Sequence, residues 1–157
     1  MVRDLNRYNV VICDIDDTLI YGFWTNLMRV TWDLFHNEIL TNVLMYLQAT
    51  FKLYKVNQKL RYMLNRYHFY LYFVTARKES ASTVKTLSQI ITRSFNIMEL
   101  GTDNPEIDKN IITRRLMTIH NTNNILVIDD NEKVRRLSEV DTLDPTPLFE
   151  ELIGARN

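Results

Sequence analysis

The stretch VVICDIDDTLIYG, Val10 to Gly22, constrains this chain more than any other. Four apolar residues, Val10 to Cys13, read as a short buried strand. They run straight into Asp14, Asp16 and Asp17. Carboxylates that close repel one another, and at the end of a buried strand little water is at hand to screen them. The fold must bring compensating positive charge to that strand end, as side chains or as a bound cation.

Two further apolar runs have the same character, FYLYFV (Phe69 to Val74) and NILVI (Asn124 to Ile128). Their β-branched and aromatic content reads as strands covered on both faces, the signature of a parallel sheet. NIMEL, Asn96 to Leu100, is a weaker fourth strand. Between them lie stretches of helical period. In SASTVKTLSQIITRSF the spacing puts Val84, Leu87, Ile90 and Ile91 on one face. NPEIDKNIITRRLMTIH opens with Asn104 as N-cap and Pro105 in the first turn. Strands alternating with helices predict a Rossmann-like, doubly wound α/β domain with mainly parallel strands. The 157 residues suit one domain over 1–157.

Composition narrows the setting. A formal net charge of zero implies no whole-protein attraction to nucleic acid or membrane. The single cysteine, Cys13, excludes an internal disulfide and suits a reducing, cytoplasmic compartment. The first residues, MVRDLNRYN, are polar and unlike a signal peptide, and the apolar runs are too short to span a bilayer. With three Gly and three Pro, long flexible linkers are not expected.

Each strand ends in polar, reactive groups: Asp14 and Asp16 after the first, Thr75 and Arg77 after the second, Asp129 and Asp130 after the third. In open α/β sheets ligands bind at the carboxyl ends of the strands. Carboxylates meeting there suit a hard cation, and Mg²⁺ prefers few carboxylates, several waters and a substrate phosphate. An aspartate can attack phosphorus as a nucleophile. The charge that develops on the phosphoryl oxygens needs a hydroxyl, such as Thr75, and a cation, such as Lys109.

The order DIDDT (Asp14 to Thr18), VTAR (Val74 to Arg77), Lys109 and VIDD (Val127 to Asp130) resembles the haloacid dehalogenase-like superfamily, over about Val10 to Leu137. The resemblance implies that Asp14 is the nucleophile, while Asp16 protonates the leaving group and later activates water. It implies Mg²⁺ held by Asp14, the carbonyl of Asp16 and Asp129, with Asp130 binding the metal or orienting its waters. Thr75 and Lys109 would grip the phosphoryl group. Asp17 stands where many relatives carry Gly, which implies a structural or supporting role. Response-regulator receiver domains use similar residues, but there the acidic pair and a lone Asp precede Thr and Lys. Here Thr75 and Lys109 come before the second acidic group.

Residues 21–68 form an insertion with room for a flap and a small helical cap of two or three helices. So small a cap leaves an open site, suited to a large substrate or closed by a second subunit. Between Ile39 and Lys78 there is no acid, while Lys52, Lys55, Lys59, Arg61 and Arg66 alternate with Tyr54, Tyr62 and Tyr67. The segment can steer a phosphorylated substrate or track a nucleic-acid strand. The plainer reading is a solvated basic helix face. Arg77, two residues after Thr75, points to the site, either to clamp a phosphate or leaving group or to pair with an acid. Tyr21, Phe23 and Trp24 can stack on a base or sugar at the mouth of the site, but the favoured reading is that they pack the flap onto the core; His36, His68 and His120 form no ligand pattern. Arg114, Arg115, Arg135 and Arg136 read as exposed helix positions, and the tail from Asp141 as a turn and short helix closing the sheet edge.

The function these residues point to is a Mg²⁺-dependent phosphomonoesterase acting on a nucleotide or a nucleic-acid phosphate end. A small phosphorylated metabolite is the alternative substrate. A phosphotransferase, or a phosphate-binding or assembly module without turnover, is the alternative on the same fold.

Overall fold

The computed structural model describes residues 5–77, 80–101 and 104–148. After a single 3₁₀ turn at Leu5–Arg7 the elements are β1 (Val10–Cys13), β2 (Ile20–Tyr21), α1 (Phe23–Phe35), α2 (Glu38–Phe51), β3 (Lys55–Val56) and α3 (Gln58–Arg66). There follow β4 (Tyr70–Thr75), α4 (Ala81–Ser88), β5 (Asn96–Glu99), α5 (Pro105–His120), β6 (Ile125–Ile128), α6 (Glu132–Leu137) and β7 (Asp141–Leu143).

Five strands form one parallel sheet in the order β5-β4-β1-β6-β7. The chain builds outward from β1 through β4 to β5, then returns across β1 to add β6 and β7. This is the doubly wound, Rossmann-like α/β arrangement, with its switch point between β1 and β6. Alternation along β1 divides the core. Val11 and Cys13 join Leu60, Leu64, Leu71, Phe73 and Leu87 on one face of the sheet. Val10 and Ile12 join Ile112, Leu116, Ile125 and Val127 on the other, under α5. All four residues of β1 and of β6 are buried, as expected of strands covered on both faces.

The insertion leaves and returns through a two-stranded ribbon, in which β2 pairs antiparallel with β3. Gly22, with φ of +126°, turns the chain from β2 into α1 at an angle unfavourable for a side-chain residue. The α1 and α2 helices form a hairpin, and α2 packs on α4, where the Gln89 amide donates to the Ala49 carbonyl. Asn37, Asn57, Ser80, Asn104 and Asn131 each cap a helix by accepting from a backbone N–H of its first turn.

Several expectations are corrected. The α4 helix ends at Ser88, and Val84 is 39% exposed; Thr83, Thr86 and Leu87 make its buried face, while Ile90 and Ile91 enter the core from the chain beyond it. The tail from Asp141 begins as an edge strand, β7, paired with β6, and the expected turn and helix come only after it, with residues 146–148 helical. Phe23 is 72% exposed and does not pack a flap onto the core. Lys78 lies outside the described residues. Among the described residues, no helix is long and apolar enough to cross a membrane.

Phe73 is fully buried in the inner strand β4, next to β1, and meets Phe95 edge to face at 5.6 Å between ring centres. Phe73→Ala is expected to lower the unfolding free energy by about 3–5 kcal/mol, measured by urea denaturation.

Candidate active site

The acid cluster sits at the carboxyl edge of the sheet, at the switch point. The parallel register pairs Cys13 with Ile128, and the Asp14 N–H donates to the Ile128 carbonyl at 2.9 Å. Asp14 and Asp129 are the next residues on neighbouring strands. By alternation both continue the face lined by Val10, Ile12, Ile125 and Val127, the face that α5 covers. Helix α5 begins at this edge and brings Lys109 in its second turn. The Lys109 ammonium lies 2.9 Å from Asp14 Oδ1 and 2.5 Å from Asp129 Oδ2, with all three side chains largely buried.

One ammonium does not balance the cluster. Burial pushes the Asp14 carboxyl up to about 8, and the charges of Asp129 and Asp16 add to the rise against the pull of Lys109. Burial alone would lower Lys109, but the two carboxylates hold it well above its ordinary value. Burial also raises Asp17 and Asp130. The acids that line this edge and its cleft, Asp14, Asp16, Asp17, Asp33, Glu38, Asp129 and Asp130, outnumber the cations Arg29, Arg77 and Lys109, so the edge is short of positive charge.

Asp16 is held apart from this pair. Its carboxylate accepts two bonds from Arg77, at 2.7 Å from Nε and 2.5 Å from Nη2, in a fork-on-fork pairing. Arg77 is itself buried and donates also to Gln48 Oε1 of α2 at 3.0 Å. Of the two roles open to Arg77, the geometry shows the pairing with an acid, and that acid lies in the site. Asp17 adopts φ of +57°, a left-handed conformation that Asp tolerates better than most residues, and pairs with Arg29 at 3.1 Å. Asp130 is turned to Thr18, whose hydroxyl donates to its Oδ1 and accepts from its backbone N–H, both at 3.1 Å. Thr75 ends β4, is 1% exposed, and accepts from the Arg77 N–H at 3.1 Å. It lies beneath the cleft, which Ala76 and Arg77 line instead.

The cleft over this edge has a volume of about 520 Å³. Asp14, Asp16, Lys109 and Asp129 form its floor, and the α1–α2 hairpin forms a wall with Met28, Trp32 and Met45. The basic segment lies elsewhere. Lys52, Lys55, Lys59, Arg61 and Arg66 do not line the cleft, and α3 buries Leu60, Met63 and Leu64 against the opposite face of the sheet. Arg66 instead pairs with its neighbour Tyr62.

Three residues have roles at the site that the sequence reading did not assign them. Gln48 is a polar residue in an apolar helix and shows its purpose only when Arg77 meets it. Thr18 is part of the DIDDT run, but only the fold brings it to Asp130. Arg135, read as exposed, donates to the carbonyls of Asp129 and Asp130 at 2.6 Å and pairs with Asp144 at 3.0 Å. It braces the loop that carries both acids.

Among the described residues, no three carboxylate, imidazole or thiolate side chains are grouped closely enough to cage a metal by themselves. Mg²⁺ does not require such a cage, since one or two carboxylates, waters and a phosphate suffice. Asp14 and Asp129, close enough to share one ammonium and still short of positive charge, fit that demand. No protein-family model matches the chain, and no curated protein matches it.

The shift at Asp14 has a measurable consequence. Its ordinary value is 3.8 and its folded value about 8, so between them the folded chain holds a proton that the unfolded chain has released. Stability therefore falls as pH rises from about 4 to about 8. Denaturation across that range in chelating buffer is expected to show this fall, and Asp14→Asn, which does not titrate, to flatten it.

Proposed function

We propose that the protein is a Mg²⁺-dependent phosphomonoesterase of the haloacid dehalogenase-like type, with Asp14 as nucleophile. The observation that carries the reading is the Lys109 ammonium between Asp14 and Asp129, at the ends of adjacent strands, over an open cleft. The order of DIDDT, VTAR, Lys109 and VIDD supports it, because these segments meet at one edge.

Asp14 and Asp129, with the carbonyl of Asp16, would hold Mg²⁺. When bound it neutralises charge on the carboxylates and on the phosphoryl oxygens. An Asp14 carboxylate oxygen attacks phosphorus, forming an O–P bond as the ester P–O bond breaks. Asp16, in its protonated form, gives its proton to the leaving oxygen. Water then attacks the aspartyl-phosphate, Asp16 takes the proton from that water, and Asp14 and inorganic phosphate are released. Lys109 holds Asp14 in place and offsets charge through both steps.

The Arg77 fork occupies both carboxylate oxygens of Asp16, and at least one must be freed before Asp16 can meet the leaving oxygen. An anionic substrate offers Arg77 replacement oxygens, so substrate binding and release of Asp16 go together. The leaving group would lie against Met28, Trp32 and Met45, which line the cleft and make a wall suited to the flat, partly apolar body of a nucleoside. This favours a nucleotide or a nucleic-acid phosphate end, and it moves substrate selection from the basic segment to the α1–α2 hairpin.

Phosphate release from nucleotides, 3′- and 5′-phosphorylated oligonucleotides and sugar phosphates tests the reading. Turnover is expected with Mg²⁺, to vanish with EDTA, and to fall by about 10³-fold or more in Asp14→Asn. Arg77→Met is expected to raise KM by about tenfold, since it removes a charged contact to the substrate. No release from any substrate, or release undiminished in Asp14→Asn, overturns the proposal.

A further inference from the structure

We propose that the outer face of the α1–α2 hairpin is a dimer interface, on which a second copy of this chain docks to form a four-helix bundle. Phe23, Leu27, Val30 and Leu34 follow one another along α1 at spacings of four, three and four, a single stripe. Leu40, Leu44, Leu47 and Phe51 repeat that spacing along α2. The seam between the two helices is already filled by Thr25, Met28, Met45 and Gln48, all buried. The stripes are not part of it. Phe23, Leu34 and Phe51 are 72%, 68% and 66% exposed, and Leu27, Leu44 and Leu47 are only half-buried.

Charge identifies the occupant. Between Gly22 and Phe51 the formally charged side chains are Arg29, Asp33 and Glu38, and all three line the cleft. The stripes carry none. An interface that meets itself across a two-fold axis must not set like charges against each other, and an uncharged face meets that condition. It also offers nothing to select a charged partner. The 4-3-4 spacing on two antiparallel helices is the pattern with which hairpins pair into bundles.

The area suffices. Five of the eight side chains are 41–72% exposed and the other three add less, so the face offers roughly 700 Å² per chain, close to what one partner contributes to a standard interface. Exposed apolar patches of that size on soluble domains mark contact surfaces. On both helices the stripes lie away from the cleft-lining positions. The dimer therefore backs the hairpin and leaves the cleft open, unlike the subunit expected to close the site.

Sedimentation equilibrium between about 1 and about 100 µM tests this, a range that brackets a micromolar dimer. The expected mass is twice the 18.7 kDa of one chain. The double variant Val30→Glu, Leu34→Glu is expected to weaken association at least tenfold, while Ile119→Glu, on an exposed face of α5, leaves it unchanged. Hydrogen exchange of the unaltered protein gives a readout that needs no variant: dilution from about 100 to about 1 µM is expected to deprotect 23–34 and 40–51 selectively. A monomer throughout overturns the proposal, as does a dimer that survives the double variant or whose dilution-sensitive amides lie elsewhere. Monomer that binds neutral lipid vesicles through the same stripes reassigns the face to a lipid surface.

Discussion

The ammonium of Lys109 between Asp14 and Asp129 is the interaction on which the carboxyl edge depends. Parallel pairing of β1 with β6 forces the two acids together, because side chains one residue past a paired position share a face. Without a cation between them the register itself would be costly. The amide-rich start of α5 points to the same edge, so the partial positive charge of that helix end assists the side chain. Even so, the acids around the cleft outnumber its cations, which leaves charge for something else to supply.

The surrounding polar contacts serve one purpose, to keep five aspartates apart in direction. Asp16 is drawn to Arg77, Asp17 to Arg29, and Asp130 to Thr18, while Asp14 and Asp129 share Lys109. Each partner comes from a different element, so the cluster is dispersed only when the whole edge is assembled. Arg135 fixes the backbone beneath two of these acids and reaches Asp144 just past β7. The edge strand thereby takes part in shaping the loop.

What was legible in the sequence was what depends on local pattern. The apolar runs located four sheet strands to within a residue or so, and Asn104 with Pro105 marked the start of α5. The meeting of Asp14 with Asp129 followed from the rule that open sheets gather their loops at one edge. The fifth strand, Asp141–Leu143, was hidden because an edge strand of three residues carries little apolar signal. Arg135 was hidden because exposure is the default for arginine, and its carbonyl partners become available only once β6 turns into α6. The basic run supported two readings, a solvated helix face and a substrate-steering surface, because charge steers substrate only when it faces the site, and facing is a tertiary property. Here the core needs of Leu60, Met63 and Leu64 decided which way α3 points.

The ribbon of β2 and β3 has a wider consequence. Ile20 pairs with Val56 and Tyr21 with Lys55, so the chain leaves the acid edge and returns to it at the same place. Loop closure is settled at the base, and doubling what lies between would cost only about 0.6 kcal/mol in chain entropy. The polar ties from hairpin to edge run chiefly from Gln48 to Arg77 and from Arg29 to Asp17. The architecture thus separates a fixed chemical platform from an exchangeable attachment. A different cap could be grafted onto the same ribbon, and the protein would acquire a new clientele without rebuilding its sheet.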